Sequence, residues 1–207
     1  MAVVETWHDA TIFLTQQFQP KTDPAARGLA AFAARTSYAA TMLTLTWGVL
    51  TATGWIRSVT GRKALRSTHM VLATATIIFG AVHALGFTYL TVQPYSFAYM
   101  FIPFSSGQES RHIAGIVGFE VMFAIFLTAG LQRFTSYRRW LWLHRCAYPA
   151  VALIALHSWF GAIANGHLSV TWLGGITLLV PAVTVSMLRF MPARTLERIG
   201  LVEEQVA

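Results

Sequence analysis

The sequence predicts an all-α membrane protein, a bundle of about five transmembrane helices with the N-terminus outside and the C-terminus cytoplasmic. Two observations carry that expectation. Of 207 residues, 55% are hydrophobic and only 11% charged, whereas about 25% of a soluble domain is charged. The apolar residues also gather into five runs, each long enough to cross about 30 Å of hydrocarbon at about 1.5 Å per residue.

The first 35 residues are expected to lie outside the span region. Gln16, Gln17, Gln19, Lys21 and Asp23 interrupt any apolar run, while Val4, Trp7, Thr11, Leu14 and Phe18 recur at helical spacing. That pattern fits a helix lying in the outer interface, followed by a loop at 20–24. Glu5 and Asp9 stand where a cleaved signal would carry basic residues, so no such signal is expected. The predicted spans are 38–56, 67–92, 112–131, 140–164 and 170–190. They define a membrane domain at 36–191 and a cytoplasmic tail at 192–207.

The net charge of +7 arises from 15 basic and 8 acidic residues. Arg57, Arg62, Lys63 and Arg66 follow the first span, and Arg133, Arg138, Arg139 and Arg145 surround the link after the third. Arg189, Arg194 and Arg198 accompany the end of the fifth. Basic residues in short gaps between apolar runs mark cytoplasmic loops, so nucleic-acid binding is not expected. The external links, 93–111 and 165–169, carry only Glu109 and Arg111 as charges. The stretch 94–106 is rich in aromatics and reads as a cap or anchor in the outer interface. A single cysteine, Cys146, excludes disulfides, thiolate clusters and a CxxCH haem attachment.

Span two carries His69 and His83, and span four carries His144 and His157. Ionisable residues inside spans are costly and mark function. The separations are 14 and 13 residues, about 21 and 19.5 Å along a helix. Both spans run from inside to outside, so His69 falls level with His144 and His83 with His157. Each level then offers two imidazoles from facing helices, an arrangement suited to a b-type haem held by two histidines. Zinc fits poorly, because its ligands converge on one ion and two imidazoles do not complete a tetrahedron. A straight helix turns 100° per residue, so 13 residues leave His144 and His157 about 140° apart. A bend or change of pitch is therefore expected between them, where Pro149 stands.

Anionic haem propionates need donors. Arg62, Arg66 and Arg145 are candidates at the inner level, with Lys63 nearby, and Arg111 at the outer. Glu120, in the middle of span three, and His112, at its outer end, are candidates for proton relay or quinone contact. His167 reads as a loop histidine. Trp47, Phe79, Phe119, Phe123 and Trp159 are candidates to flank the cofactors.

The run Trp140-Leu141-Trp142-Leu143-His144-Arg145-Cys146-Ala147-Tyr148-Pro149, continuing to Leu156-His157-Ser158-Trp159, resembles the ferric reductase-like transmembrane domain family. The pattern L-H-R-x-x-Y with a second His 13 residues on, and the earlier pair spaced at 14, carry the resemblance over about 38–190; the segment Ile102-Pro103-Phe104-Ser105-Ser106 is also similar to a family loop. That family includes ferric reductases, NADPH oxidases and the haem subunit serving a periplasmic methionine sulfoxide reductase. The resemblance implies electron flow from inside to outside through two b haems, inner at His69/His144 and outer at His83/His157. Two features depart from the pattern: a first span is replaced by the polar segment 1–35, and no flavin or nicotinamide module follows the last span. Electrons are therefore expected to enter from a separate flavoprotein or from quinol and to leave to an external acceptor, within a larger complex in the cell membrane. The alternatives are a quinone-linked cytochrome b subunit and a non-redox anchoring subunit.

Overall fold

The structure, a computed structural model, describes residues 23–91, 95–166, 169, 174–198 and 200. The interfacial helix expected before Asp23, the loop histidine His167 and the end of the tail lie outside the described residues. Among those described there are helices and no strand.

Helix α1 spans Pro24–Thr53, 30 residues. It opens on proline, whose fixed φ suits a first helical turn and whose missing N–H would have been unpaired there anyway. It closes at Gly54, where φ is 73° and the N–H returns to the Leu50 carbonyl; the left-handed turn favours glycine. The helix begins well before residue 38, where the apolar run starts. Ala25, Ala26, Ala30, Ala31, Ala33 and Ala34 favour a helix, while Arg27 and Arg35 hide that start from a search for apolar runs. The later threonines keep their polarity inside the helix. Hydroxyls of Thr41, Thr44, Thr46, Thr51 and Thr53 each donate to the carbonyl four residues back.

A short α2, Arg57–Thr60, leads through Gly61 to α3, Arg62–Gly86. After it come α4, Phe97–Phe101, and α5, Ser110–Gly130. Next are α6, Tyr137–Arg145, and α7, Ala147–Ala164. The chain finishes with α8, Ile176–Phe190, and α9, Ala193–Arg198. Among the described residues, three stretches are long and apolar enough to cross a membrane: Arg62–Tyr89, Ser110–Gly130 and Tyr137–Ala164. Ile176–Phe190 is a shorter apolar helix, and α1 has the length of a span with a more polar sequence. The chain is an all-α, multi-pass membrane protein. Its exposed faces agree, since Val71, Ile78, Leu127, Val180 and Met187 point outward, where lipid rather than water would meet them.

The core joins Tyr38 and Met42 of α1, Ile77 of α3, Met122 of α5, Ala150 and Val151 of α7, and Ala182 of α8. Helix α3 lies along α1, α7 lies along α5, and α8 packs on α1. Small residues allow the close approaches. A methyl on Gly86 would lie 3.1 Å from the Ala30 side chain, and one on Gly118 would lie 3.1 Å from the Ala150 carbonyl. Ser37 donates to the Thr76 carbonyl at 3.0 Å, tying α1 to α3. By contrast α3 and α7 scarcely touch through their backbones. They face each other across a gap that side chains bridge.

The change of pitch expected in the fourth span occurs at Cys146, between α6 and α7. Pro149 supplies no N–H for the Arg145 carbonyl, and its ring crowds that carbonyl. The chain answers by tightening one turn, so that the Cys146 N–H bonds the Leu143 carbonyl three residues back at 3.0 Å.

Candidate functional site: two facing histidine pairs

The four span histidines meet in two pairs, His69 and His83 of α3 facing His144 of α6 and His157 of α7. His69 faces His144 with ring centroids 6.1 Å apart and ring planes 69° apart. His83 faces His157, also at 6.1 Å, with planes 66° apart. The level-by-level pairing read from helical rise is the pairing observed.

Hydrogen bonds fix how three of these rings present themselves. Nδ1 of His69 lies 3.1 Å from the Thr44 carbonyl and Nδ1 of His83 lies 3.0 Å from the Ala30 carbonyl, both on α1. Nδ1 of His157 lies 2.7 Å from the Arg111 carbonyl on α5. A carbonyl only accepts, so Nδ1 carries the proton in each and the Nε2 lone pair is left for another partner. Histidines that ligate metals are held in this way. His144 differs: its Nδ1 is buried without an acceptor among the described residues, and the Trp140 ring stacks on it at 4.8 Å and 19°. Glycines make room for two of the rings. A methyl on Gly48 would lie 3.0 Å from Cε1 of His69, and one on Gly115 would lie 2.6 Å from Nδ1 of His157.

The spacing suits one metal between each pair. A metal–imidazole bond is about 2 Å and the ring centre lies about 1 Å beyond the nitrogen, so two rings on opposite sides of one iron stand about 6 Å apart. Among the described residues no group of three or more His, Cys, Asp or Glu converges. The donor set at each level is two imidazoles, which matches the two axial positions of a haem and leaves a tetrahedral ion short of ligands. The scarcity of α3–α7 backbone contact leaves width for a flat group.

The other predicted site residues fall elsewhere. Arg62, Lys63 and Arg66 are exposed at the start of α3. Arg145 is exposed too, its guanidinium 5.4 Å from the centre of the Trp142 ring. Arg111 donates from Nη2 to Glu109 at 3.0 Å, and its Nε approaches the same carboxylate at 2.8 Å without the alignment of a hydrogen bond; its main chain serves His157. Nδ1 of His112 lies 3.1 Å from the Tyr99 hydroxyl, and Tyr95 stacks on Tyr99 at 4.8 Å. Phe87 links Tyr95 to His83 through ring contacts at 5.9 and 5.2 Å. This aromatic group adjoins the His83/His157 level. Glu120 falls on the side of α5 opposite buried Gly118, Met122 and Ile125, and it makes no hydrogen bond or ion pair among the described residues. Phe119 packs on Gly80 and Phe123. Sequence reasoning missed the carbonyls that anchor the ligands, which have no side-chain signal. It also passed over Trp140 and treated Arg189 only as a topology mark.

The family model for the ferric reductase like transmembrane component matches residues 33–155. The chain belongs to that family. The matched stretch covers more than half the chain and holds His69, His83 and His144; His157 and α8 follow it. Transmembrane electron transfer is the activity that membership in the ferric reductase-like family implies in general terms. No match was found among curated proteins or among solved structures.

Proposed function

We propose that this chain passes electrons across the cell membrane by way of two b-type haems, the inner held by His69 and His144 and the outer by His83 and His157. The observation that carries the reading is the twofold repeat of one geometry, two facing imidazoles with centroids 6.1 Å apart at each level. Haem bound between two imidazoles is six-coordinate and supplies a one-electron couple suited to transfer rather than to oxygen binding. The chain's own residues perform the rest. The Thr44, Ala30 and Arg111 carbonyls hold three rings by Nδ1 and leave Nε2 available to a metal. Ring positions about 21 Å apart along α3 place the two levels at different depths in the bilayer.

Basic clusters in the links after the first and third spans support a cytoplasmic position for that end of the bundle; the proposed flow runs from that side, from a separate flavoprotein or quinol, to an external acceptor, with the chain a subunit of a larger complex. Proteoliposomes loaded with a membrane-impermeant reductant test this. Purified protein should reduce an impermeant acceptor outside much faster than protein-free vesicles do. Equal rates would overturn the proposal.

A further inference from the structure

Buried N–H groups without an acceptor are rare in folded proteins, and the inner histidine level has several. Nε1 of Trp47 and Nε1 of Trp140 are both buried and unpartnered among the described residues, as is Nδ1 of His144. The Trp140 indole borders the inner pair, and Trp47 stands on α1 at the same level. Trp140 stacks on His144. Trp47 precedes Gly48, whose backbone abuts His69, and lies three residues beyond Thr44, whose carbonyl anchors that ring. A cation joins them. Arg189 sits half-buried in the last turn of α8 and forms no ion pair among the described residues. Its neighbour Phe190 packs on Tyr148, one turn beyond His144, with ring centroids 5.5 Å apart. That contact brings the end of α8, and Arg189 with it, to the side of the helix turn that carries His144.

Two neutral donors and one permanent cation around one level form an anion-binding cradle. An indole nitrogen donates only, a guanidinium donates only, and an ionised carboxylate accepts only. The basic residues read from sequence are less suited to the role, since Arg62 and Arg66 are exposed and Arg145 lies over Trp142.

We propose that Trp47, Trp140 and Arg189 form a carboxylate-binding cradle that takes the propionates of the inner haem. The inference rests on the haem reading above and adds to it a site centred partly on α8, outside the stretch matched by the family model. A cation and donors on the propionates disfavour the extra positive charge of the ferric state. Removing them should therefore lower the midpoint potential of that haem.

Potentiometric titration of the purified protein, followed by visible spectroscopy, tests the cradle. The variants are Arg189→Gln, Arg189→Lys, Trp47→Phe and Trp140→Phe, with Arg62→Gln and Arg145→Gln as comparisons. Arg189→Gln should lower the potential of one of two haems and leave the other unmoved, and Arg189→Lys should recover much of the shift. Each Trp→Phe change keeps an aromatic ring and removes the donor; each should alter the carboxylate bands in a redox-difference infrared spectrum. Loss of one haem from Arg189→Gln, restored by Arg189→Lys, would support the cradle equally. Two haems with unmoved potentials and unmoved carboxylate bands in these variants would overturn it. So would equal shifts from Arg145→Gln or Arg62→Gln. A wild-type protein without a b-type spectrum would instead remove the haem reading on which the cradle rests.

Discussion

Gly115 shows how closely single residues are fitted to the ligand rings. A methyl there would lie 2.6 Å from Nδ1 and 2.8 Å from Cγ of His157, far inside contact distance, and His157 is held by its bond to the Arg111 carbonyl. Overpacking of this kind commonly costs about 1–3 kcal/mol. Gly115→Ala should displace the ring and lower haem content from two toward one per chain, measured as pyridine haemochrome against protein. Asp23 acts at the surface. Its carboxylate accepts the Thr91 N–H at 2.6 Å and the Thr91 hydroxyl at 2.9 Å, and these bonds hold its pKa below the ordinary 3.8. A carboxyl depressed in the folded state stabilises above its unfolded pKa, and that contribution disappears as pH falls through the lower folded value. The difference in melting temperature between wild type and Asp23→Asn, measured in detergent, should therefore be present at pH 6 and shrink below about pH 3.8. The four span histidines were legible in the sequence because imidazoles inside spans are conspicuous. Their anchors were not, because a backbone carbonyl looks the same in every residue.

At the scale of elements, the fourth span shows sequence and structure agreeing on a device but placing it differently. The spacing of 13 residues required a departure from a straight helix, and Pro149 was its visible cause. The break lies at Cys146, before the proline, because proline disturbs the carbonyl four residues earlier and the turn around it. Pro149→Ala should let α6 and α7 merge, a gain in helix propensity of about 3 kcal/mol. A straight helix then turns His144 and His157 about 140° apart. Thermal stability should rise or hold while haem content falls below two per chain; retention of both haems would show that the break is not what aims the ligands. Helix α1 illustrates the limit of apolar counting. Its first turns, rich in alanine but carrying Arg27 and Arg35, read as external sequence, although the helix runs unbroken from Pro24.

At the scale of the whole molecule, two packed helix pairs, α1 with α3 and α5 with α7, meet chiefly through side chains. Apolar runs and basic loops marked the spans, and helical rise matched the histidines by depth. Which faces turn toward each other depends on packing among small residues such as Gly86, Gly118 and Ala150, which no periodicity announces. The end of α8 likewise meets α7 where Phe190 packs on Tyr148, one turn beyond His144, a proximity that sequence separation did not suggest. The most direct test of the two-level arrangement is haem stoichiometry with reduced-minus-oxidised spectra on paired histidine variants. Wild-type protein should hold two b haems per chain; His69→Ala with His144→Ala should keep one, and His69→Ala with His83→Ala should keep none. Fewer than two haems in the wild type, or none in the same-level pair of variants, would contradict the account.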